Sequence, residues 1–144
     1  MKIYLDNCCL NRPFDDQSQL RIRLESEVKL KIQEDIRSGF HHLIWSYILD
    51  YENSKNPFQE RLEQIKKWRV YSEIDIEEDS EIVGIATQIS QHGIKKMDSL
   101  HLACAIKAKA DYFLTTDDEI MKKAKLIKGI RVIDPIGFIK EVLL

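Results

Sequence analysis

The sequence is short of several features that would classify a chain of this size at once. It holds only three cysteines, two of them adjacent at Cys8 and Cys9. A disulfide framework is therefore excluded, and the thiols read as small buried hydrophobes suited to a reducing compartment. Five glycines and three prolines in 144 residues leave no Pro/Gly/Ser-rich linker, and no repeat or low-complexity tract is visible. The length reads as one domain, large enough to bury a core. Long apolar runs are missing too. The first, Ile3-Tyr4-Leu5, is interrupted at once by Asp6, so neither signal peptide nor membrane anchor is expected, and a cytoplasmic location is. Charge of one sign is not in excess: the formal net charge is −2. A strongly basic chain would point directly to nucleic acid, so any polyanion here must be met by a local patch or a bound metal. What is present, 44% hydrophobic and 32% charged residues, is a globular composition and not a disordered one.

Strand-like and helix-like segments alternate. Lys2 to Leu5 reads as a short strand running into Asp6-Asn7. After the turn-like stretch Asn11-Arg12-Pro13-Phe14-Asp15-Asp16, a long helix carries Leu20, Leu24, Val28, Ile32 and Ile36 at intervals of four and stops at Gly39. His42 to Trp45 reads as a second strand, with Ser46 as N-cap of the helix that contains Glu52. Pro57 opens an amphipathic helix with Phe58, Leu62, Ile65 and Trp68 on one face. Val70 to Ile76 alternates as a strand, and Glu78 to His92 is helical, closed by Gly93. Met97 to Lys109 is an Ala-rich helix, Tyr112 to Thr115 a strand, Asp117 to Lys125 a short helix, Ile130 to Ile133 a last strand and Phe138 to Leu144 a last helix. Strands separated by helices imply parallel pairing through crossovers, hence an α/β fold: a three-layer α/β/α sandwich around a mainly parallel twisted sheet. In that class, ligands sit beyond the carboxyl ends of the strands, where strand order reverses.

Two acids fall at such ends. Asp6 follows the first strand and Asp117 follows the Tyr112–Thr115 strand. Asp98 opens the helix that feeds the latter strand, and Glu52 lies about one turn into the helix after the second strand. Each has an ordinary explanation: a turn residue for Asp6, a cap for Asp98 and Asp117, a solvated helix face for Glu52. Together they suggest more. Clustered carboxylates repel and raise one another's pKa, an arrangement that makes sense around a hard divalent cation, and Mg²⁺ or Mn²⁺ prefers such an oxygen shell.

Four segments, Tyr-Leu-Asp6-Asn, Ser46-Tyr-Ile-Leu-Asp-Tyr-Glu52, Lys96-Met-Asp98-Ser-Leu-His-Leu-Ala-Cys-Ala and Ala110-Asp-Tyr-Phe-Leu-Thr-Thr-Asp117, occur in the order of a PIN domain. The chain resembles that family over essentially its whole length. The resemblance implies a single PIN-like nuclease domain over residues 1–144 that cleaves single-stranded RNA with Mg²⁺ or Mn²⁺. It also implies, frequently, the toxin role in VapBC-type pairs, with an antitoxin protein as partner and a homodimer as the assembly. The family's invariant acids carry over onto Asp6, Glu52, Asp98 and Asp117 as catalytic and metal-binding residues, Glu52 acting through water or by orienting the nucleophile. Thr116 sits where the family often has a small hydroxyl or amide residue. The Asn11–Asp16 stretch is not part of the general pattern. A binding module without catalysis, or a housekeeping nuclease acting on RNA or DNA, is the alternative. A phosphoacceptor receiver domain would want a Lys after a late strand, and none is there.

Around these acids, Arg12, Lys95 and Lys96 are candidates to position phosphate, with solvated surface as the alternative for the lysines. Lys66, Lys67 and Arg69 flank Trp68, either as a base-stacking platform or as the wet side of a helix whose apolar stripe holds the Trp. His101 and Cys104 share a helix face, but no second Cys/His pair accompanies them, so they are not read as a zinc site.

Overall fold

The structure, a computed structural model, describes residues 1–143. Five strands, β1 (Lys2–Leu5), β2 (His42–Ser46), β3 (Ser72–Ile76), β4 (Tyr112–Leu114) and β5 (Arg131–Ile133), form one sheet in the order β3-β2-β1-β4-β5. All four pairings are parallel. The helices are α1 (Asn7–Asn11), α2 (Leu20–Arg37), α3 (Tyr47–Ser54), α4 (Gln59–Lys66), α5 (Ser80–Ser90), α6 (Lys96–Lys107), α7 (Asp118–Lys122) and α8 (Pro135–Leu143). The expected α/β/α sandwich with a parallel sheet is what the chain forms. No described helix is long and apolar enough to cross a membrane.

The central strands carry near-continuous apolar runs because both their faces are covered by helices. Ile3, Tyr4, Leu5, Leu43, Ile44, Phe113 and Leu114 are all fully buried. The edge strand β3 instead alternates half-buried Ile74 and Ile76 with exposed Glu73 and Asp75, charges that discourage further strand addition. Strand order runs outward from β1 in one direction through β2 and β3, then restarts on the other side at β4. The switch point therefore lies between β1 and β4, whose carboxyl ends are joined where Asp6 N–H donates to Leu114 O at 2.9 Å.

Several boundaries shift by a few residues for identifiable reasons. The helix expected from Glu78 begins at Ser80, because the Asp79 carboxylate accepts Ile82 N–H and caps it. Ser46 caps α3 as expected, accepting Leu49 N–H at 3.2 Å. The helix expected from Pro57 starts at Gln59 and ends at Lys66. Phe58 precedes it and is exposed, while Trp68 lies in a 3₁₀ turn, Lys67–Tyr71, that also takes Val70 out of the expected strand. The final helix starts earlier, at Pro135, and Leu144 lies outside the described residues.

The long helix holds a larger correction. Of the stripe Leu20, Leu24, Val28, Ile32 and Ile36, only Ile32 and Ile36 are buried; Leu20 and Leu24 are 60% and 43% exposed. Residues four apart on a helix drift by about 40° per step, so a strict fourfold repeat winds off the buried face. The face that α2 does bury includes Glu25, Ser26, Lys29, Ile32, Gln33 and Ile36. The Asn11–Asp16 stretch accounts for part of this. Its 3₁₀ turn, Arg12–Phe14, sits on α2: Arg12 Nε reaches Glu25 Oε1 at 3.0 Å, and Ser26 Oγ donates to Arg12 O at 2.9 Å. Arg61 of α4 closes the other side, donating to Phe14 O at 2.7 Å and Asp15 Oδ1 at 3.3 Å. The stretch is a polar clasp between two helices.

Candidate active site

The local sequence at the end of β1 makes Asp6 the N-cap of α1, and its Oδ1 accepts Asn7 N–H at 2.8 Å. Oδ2 accepts the Thr115 hydroxyl at 2.8 Å and the Cys8 thiol at 3.3 Å. Asp6 is 4% exposed, yet both its oxygens are engaged and fixed in direction. Asp117 plays a similar double part at the end of β4. It is the N-cap of α7, with Oδ1 accepting Glu119 N–H and Ile120 N–H at 2.8 and 3.3 Å. The capping explanation thus holds for Asp117, and it occupies only one of the two oxygens. Thr115 joins the two acids, since its Oγ1 donates to Asp6 and accepts Asp117 N–H at 3.1 Å.

Asp98 lies in the first turn of α6 and is half-buried. Its carboxyl is pushed up to about 6, first by burial and then by the negative charges of Asp6 and Asp117, with His101 opposing and Glu52 adding a smaller push. Asp98 is therefore within electrostatic reach of the other three acids. Glu52, on α3, arrives from the β2 side. Its Oε1 takes a hydrogen bond from His101 Nε2 at 2.8 Å. The neighbouring Asp50 is turned away, accepting the Trp45 indole N–H at 2.9 Å. Asp6, Glu52 and His101 each bring one ligand atom to within 4.8 Å of the others, and His101 Nε2 stands 4.0 Å from Asp6 Oδ1.

His101 was visible in the sequence only as a partner for Cys104, and its actual neighbours are remote. A carboxylate can only accept, so Nε2 is the donor to Glu52. On its other side Nδ1 is hydrogen-bonded to the Tyr4 hydroxyl at 2.6 Å, Tyr4 to Ser46 Oγ at 2.6 Å, and Ser46 accepts Leu49 N–H. This buried chain orients Glu52 from beneath. Thr115, Tyr4, Ser46 and His101 are the supporting residues that sequence reasoning missed. Tyr4 in β1 and Thr115 at the end of β4 have no local signature, His101 on α6 pointed only to Cys104, and the Ser46 cap alone hinted at a polar role.

The expected phosphate-positioning residues are placed unequally. Arg12 is engaged by Glu25 at 3.0 Å and Asp15 at 3.2 Å, so its charge is already neutralised. Lys95 and Lys96 are exposed at the start of α6, next to Asp98. Lys95 and Asp98 line a small cleft together with Lys123 and Glu119. Thr116 is buried, and its backbone, not its hydroxyl, carries its contacts: its N–H meets Cys8 Sγ at 3.3 Å and its carbonyl accepts from Arg21 at 3.1 Å.

A divalent cation fits this donor set. The acids come from four separate elements, the half-buried Asp98 carboxyl is raised first by burial and then by Asp6 and Asp117, and no Lys or Arg among the described residues pairs with Asp6, Glu52, Asp98 or Asp117. Asp6, Glu52, Asp98 and Asp117 would hold it, leaving His101 as the brace of Glu52.

A sequence profile described as PIN domain matches residues 3–126. No curated protein matches the sequence. Among solved structures, the chain is similar to one titled as VapBC2 from Rickettsia felis bound to a DNA fragment from their promoter. The TM-score is 0.56 at 16% identity, covering 92% of this chain and 97% of that one. At that identity the likeness speaks for the fold.

Proposed function

The chain belongs to the PIN domain family, and from that premise we propose that it is a Mg²⁺- or Mn²⁺-dependent endoribonuclease, a single nuclease domain that hydrolyses phosphodiester bonds of single-stranded RNA. The observation that carries the reading is the approach of Asp6 and Glu52 beside His101 at the switch point, with Asp98 in electrostatic reach of Asp6, Asp117 and Glu52 and its carboxyl raised to about 6 by burial and by those neighbours. A divalent ion bound there would polarise the scissile phosphate and lower the pKa of a coordinated water. The protein's own part is positioning. Thr115 and Asn7 N–H hold Asp6, the α7 amides hold Asp117, and His101 holds Glu52, so the oxygens need no reorganisation when charge develops on the phosphate. Lys95 and Lys96, at the rim beside Asp98, are placed to orient the RNA backbone without reading its sequence.

The biological setting follows the same family. The protein acts in the cytoplasm as the toxin of a VapBC-type pair, restrained by an antitoxin protein and assembled as a homodimer. Purified protein incubated with single-stranded RNA and Mn²⁺ tests the core of this reading. Cleavage should be abolished by EDTA and by Asp98→Asn. Equal cleavage by wild type and Asp98→Asn would remove the acid cluster as the active site, and RNA bound but uncut by wild type would leave a binding module.

A further inference from the structure

One row of α2, buried at Glu25, Lys29 and Gln33 and exposed at Arg37, carries a second polar constellation that the acid cluster does not use. Glu25, Lys29, Gln33 and Arg37 recur every fourth residue and follow one another along the helix. Glu25 is neutralised by Arg12 and Arg21. Beyond it the pairing stops. Lys29 is 2% exposed, and among the described residues its ammonium has neither a hydrogen-bond acceptor nor a carboxylate. The Trp68 ring lies 5.9 Å away, and the buried Cys9 thiol is close enough to interact with the ammonium as well. Gln33 is buried as well, and its Nε2 has no partner among the described residues. The Arg37 guanidinium lies over the same Trp68 ring at 5.1 Å. Lys29, Gln33 and Arg37 all line one cavity of about 260 Å³, walled otherwise mainly by Leu10, Phe14, Ile65 and Trp68.

Lys29 and Arg37 thus bring two cationic donors to a space whose walls hold no carboxylate, with Gln33 beside them. An ammonium confined in a largely apolar cleft without a protein acceptor is stabilised by a hydrogen-bond acceptor seated beside it. The size of the space limits what that is. It falls below the roughly 300–1,000 Å³ of pockets for drug-sized ligands, so it suits one side-chain-sized group. The apolar walls suit a hydrocarbon stem, whereas a tetrahedral phosphate would turn oxygens onto Leu10, Phe14 or Ile65. We propose that this cavity between α2, α4 and the Arg12–Phe14 turn is a binding site for a carboxylate on a short apolar stem, carried by a free small acid or by an acidic side chain of a polypeptide. Burial pushes the Lys29 ammonium down to about 7, and a carboxylate seated beside it would restore its charge. The site is separate from the acid cluster and stands whether or not that cluster cleaves RNA.

The test is an NMR titration that follows the Trp68 indole N–H and the Gln33 carboxamide. The probes are isovalerate, an acetylated tripeptide with a central Glu, the neutral isostere isovaleramide, and inorganic phosphate. Saturable shifts with isovalerate, with the peptide, or with both support the site, and which of them binds identifies the source. Isovaleramide should give none. Lys29→Met should weaken binding by roughly tenfold or more, the scale of a lost charge-assisted hydrogen bond. Gln33→Leu, which keeps the ammonium, should weaken it by a smaller factor and reads the site independently of the lysine. No saturable shift with either carboxylate, binding of phosphate alone, or equal affinity in wild type and both variants would overturn the proposal.

Discussion

Asp6 and Lys29 are buried to nearly the same degree, 4% and 2% exposed, and in opposite surroundings. Asp6 accepts from a backbone amide, a hydroxyl and a thiol, and stands beside other carboxylates. The Lys29 ammonium has no hydrogen-bond acceptor among the described residues: it shares a cavity with Leu10, Phe14 and Ile65 as well as Gln33 and Arg37, and an aromatic face lies about as far off as a cation–π contact allows. One charge is held rigidly in a site whose repulsion calls for a cation. The other is held by its stem alone beside a cavity of about 260 Å³. Burial of a charge therefore does not by itself define a site; the difference lies in how many groups have been recruited to aim it.

The two regions should separate cleanly in function. Asp6→Asn is expected to lower RNA cleavage by at least about a hundredfold in single-turnover assays, because its oxygens act on charge that develops in the transition state. Lys29→Met should leave the same rate within about twofold. A comparable loss from both would mean that the regions are coupled. Stability gives a second contrast. Glu25→Ala strips the fully buried partner from Arg12 and Arg21 and should cost about 3 kcal/mol, read from the urea midpoint.

Lys29→Met should act in the other direction, adding about 2 kcal/mol at pH 7 by removing an unpaired buried ammonium. The lysine's pKa is depressed from 10.5 to about 7 in the folded chain. Between those values the unfolded state binds the extra proton, so wild type gains stability as pH rises and the advantage of the Met variant should shrink towards pH 10. Asp98 has the opposite sign. Its pKa is raised from 3.8 to about 6, so its favourable contribution is complete below pH 3.8 and lost as pH rises through 6. Without metal, Asp98→Asn should therefore be more stable than wild type by about 1 kcal/mol at pH 7.5, after allowance for solvent screening, and equal to it near pH 4.

Much of the fold was legible because its signals are local. Apolar runs bounded by acids marked β1 and β4, and Ser46 marked the start of α3. Asp6 and Asp117 could be placed at the sheet edge by that reasoning alone, and Asp98 and Glu52 by family resemblance. The supports of the site were not legible. Thr115 meets Asp6 across 109 residues and Tyr4 meets His101 across 97, and no sequence window contains both partners. The α2 face was misread for a different reason. Leu20 and Leu24 attract attention as apolar residues, while Glu25, Lys29 and Gln33 look like a solvated face. Among the residues actually buried, 25, 29, 32 and 36 follow the alternating steps of four and three that a 3.6-residue helix demands. The clasp at Arg12, which satisfies Glu25, is what permits charge on that face.

The central claim is that Asp6, Glu52, Asp98 and Asp117 form one divalent-cation centre, and a thermal unfolding titration with Mn²⁺ reads it without depending on any substrate. Wild type, starting lower than Asp98→Asn in EDTA at pH 7.5, should rise in melting temperature through the millimolar range, since a ligand at about a hundred times its Kd adds roughly 2.7 kcal/mol to the native state. Asp98→Asn should rise far less, so that the two curves cross. Parallel curves, or no response of wild type to Mn²⁺, would contradict the account.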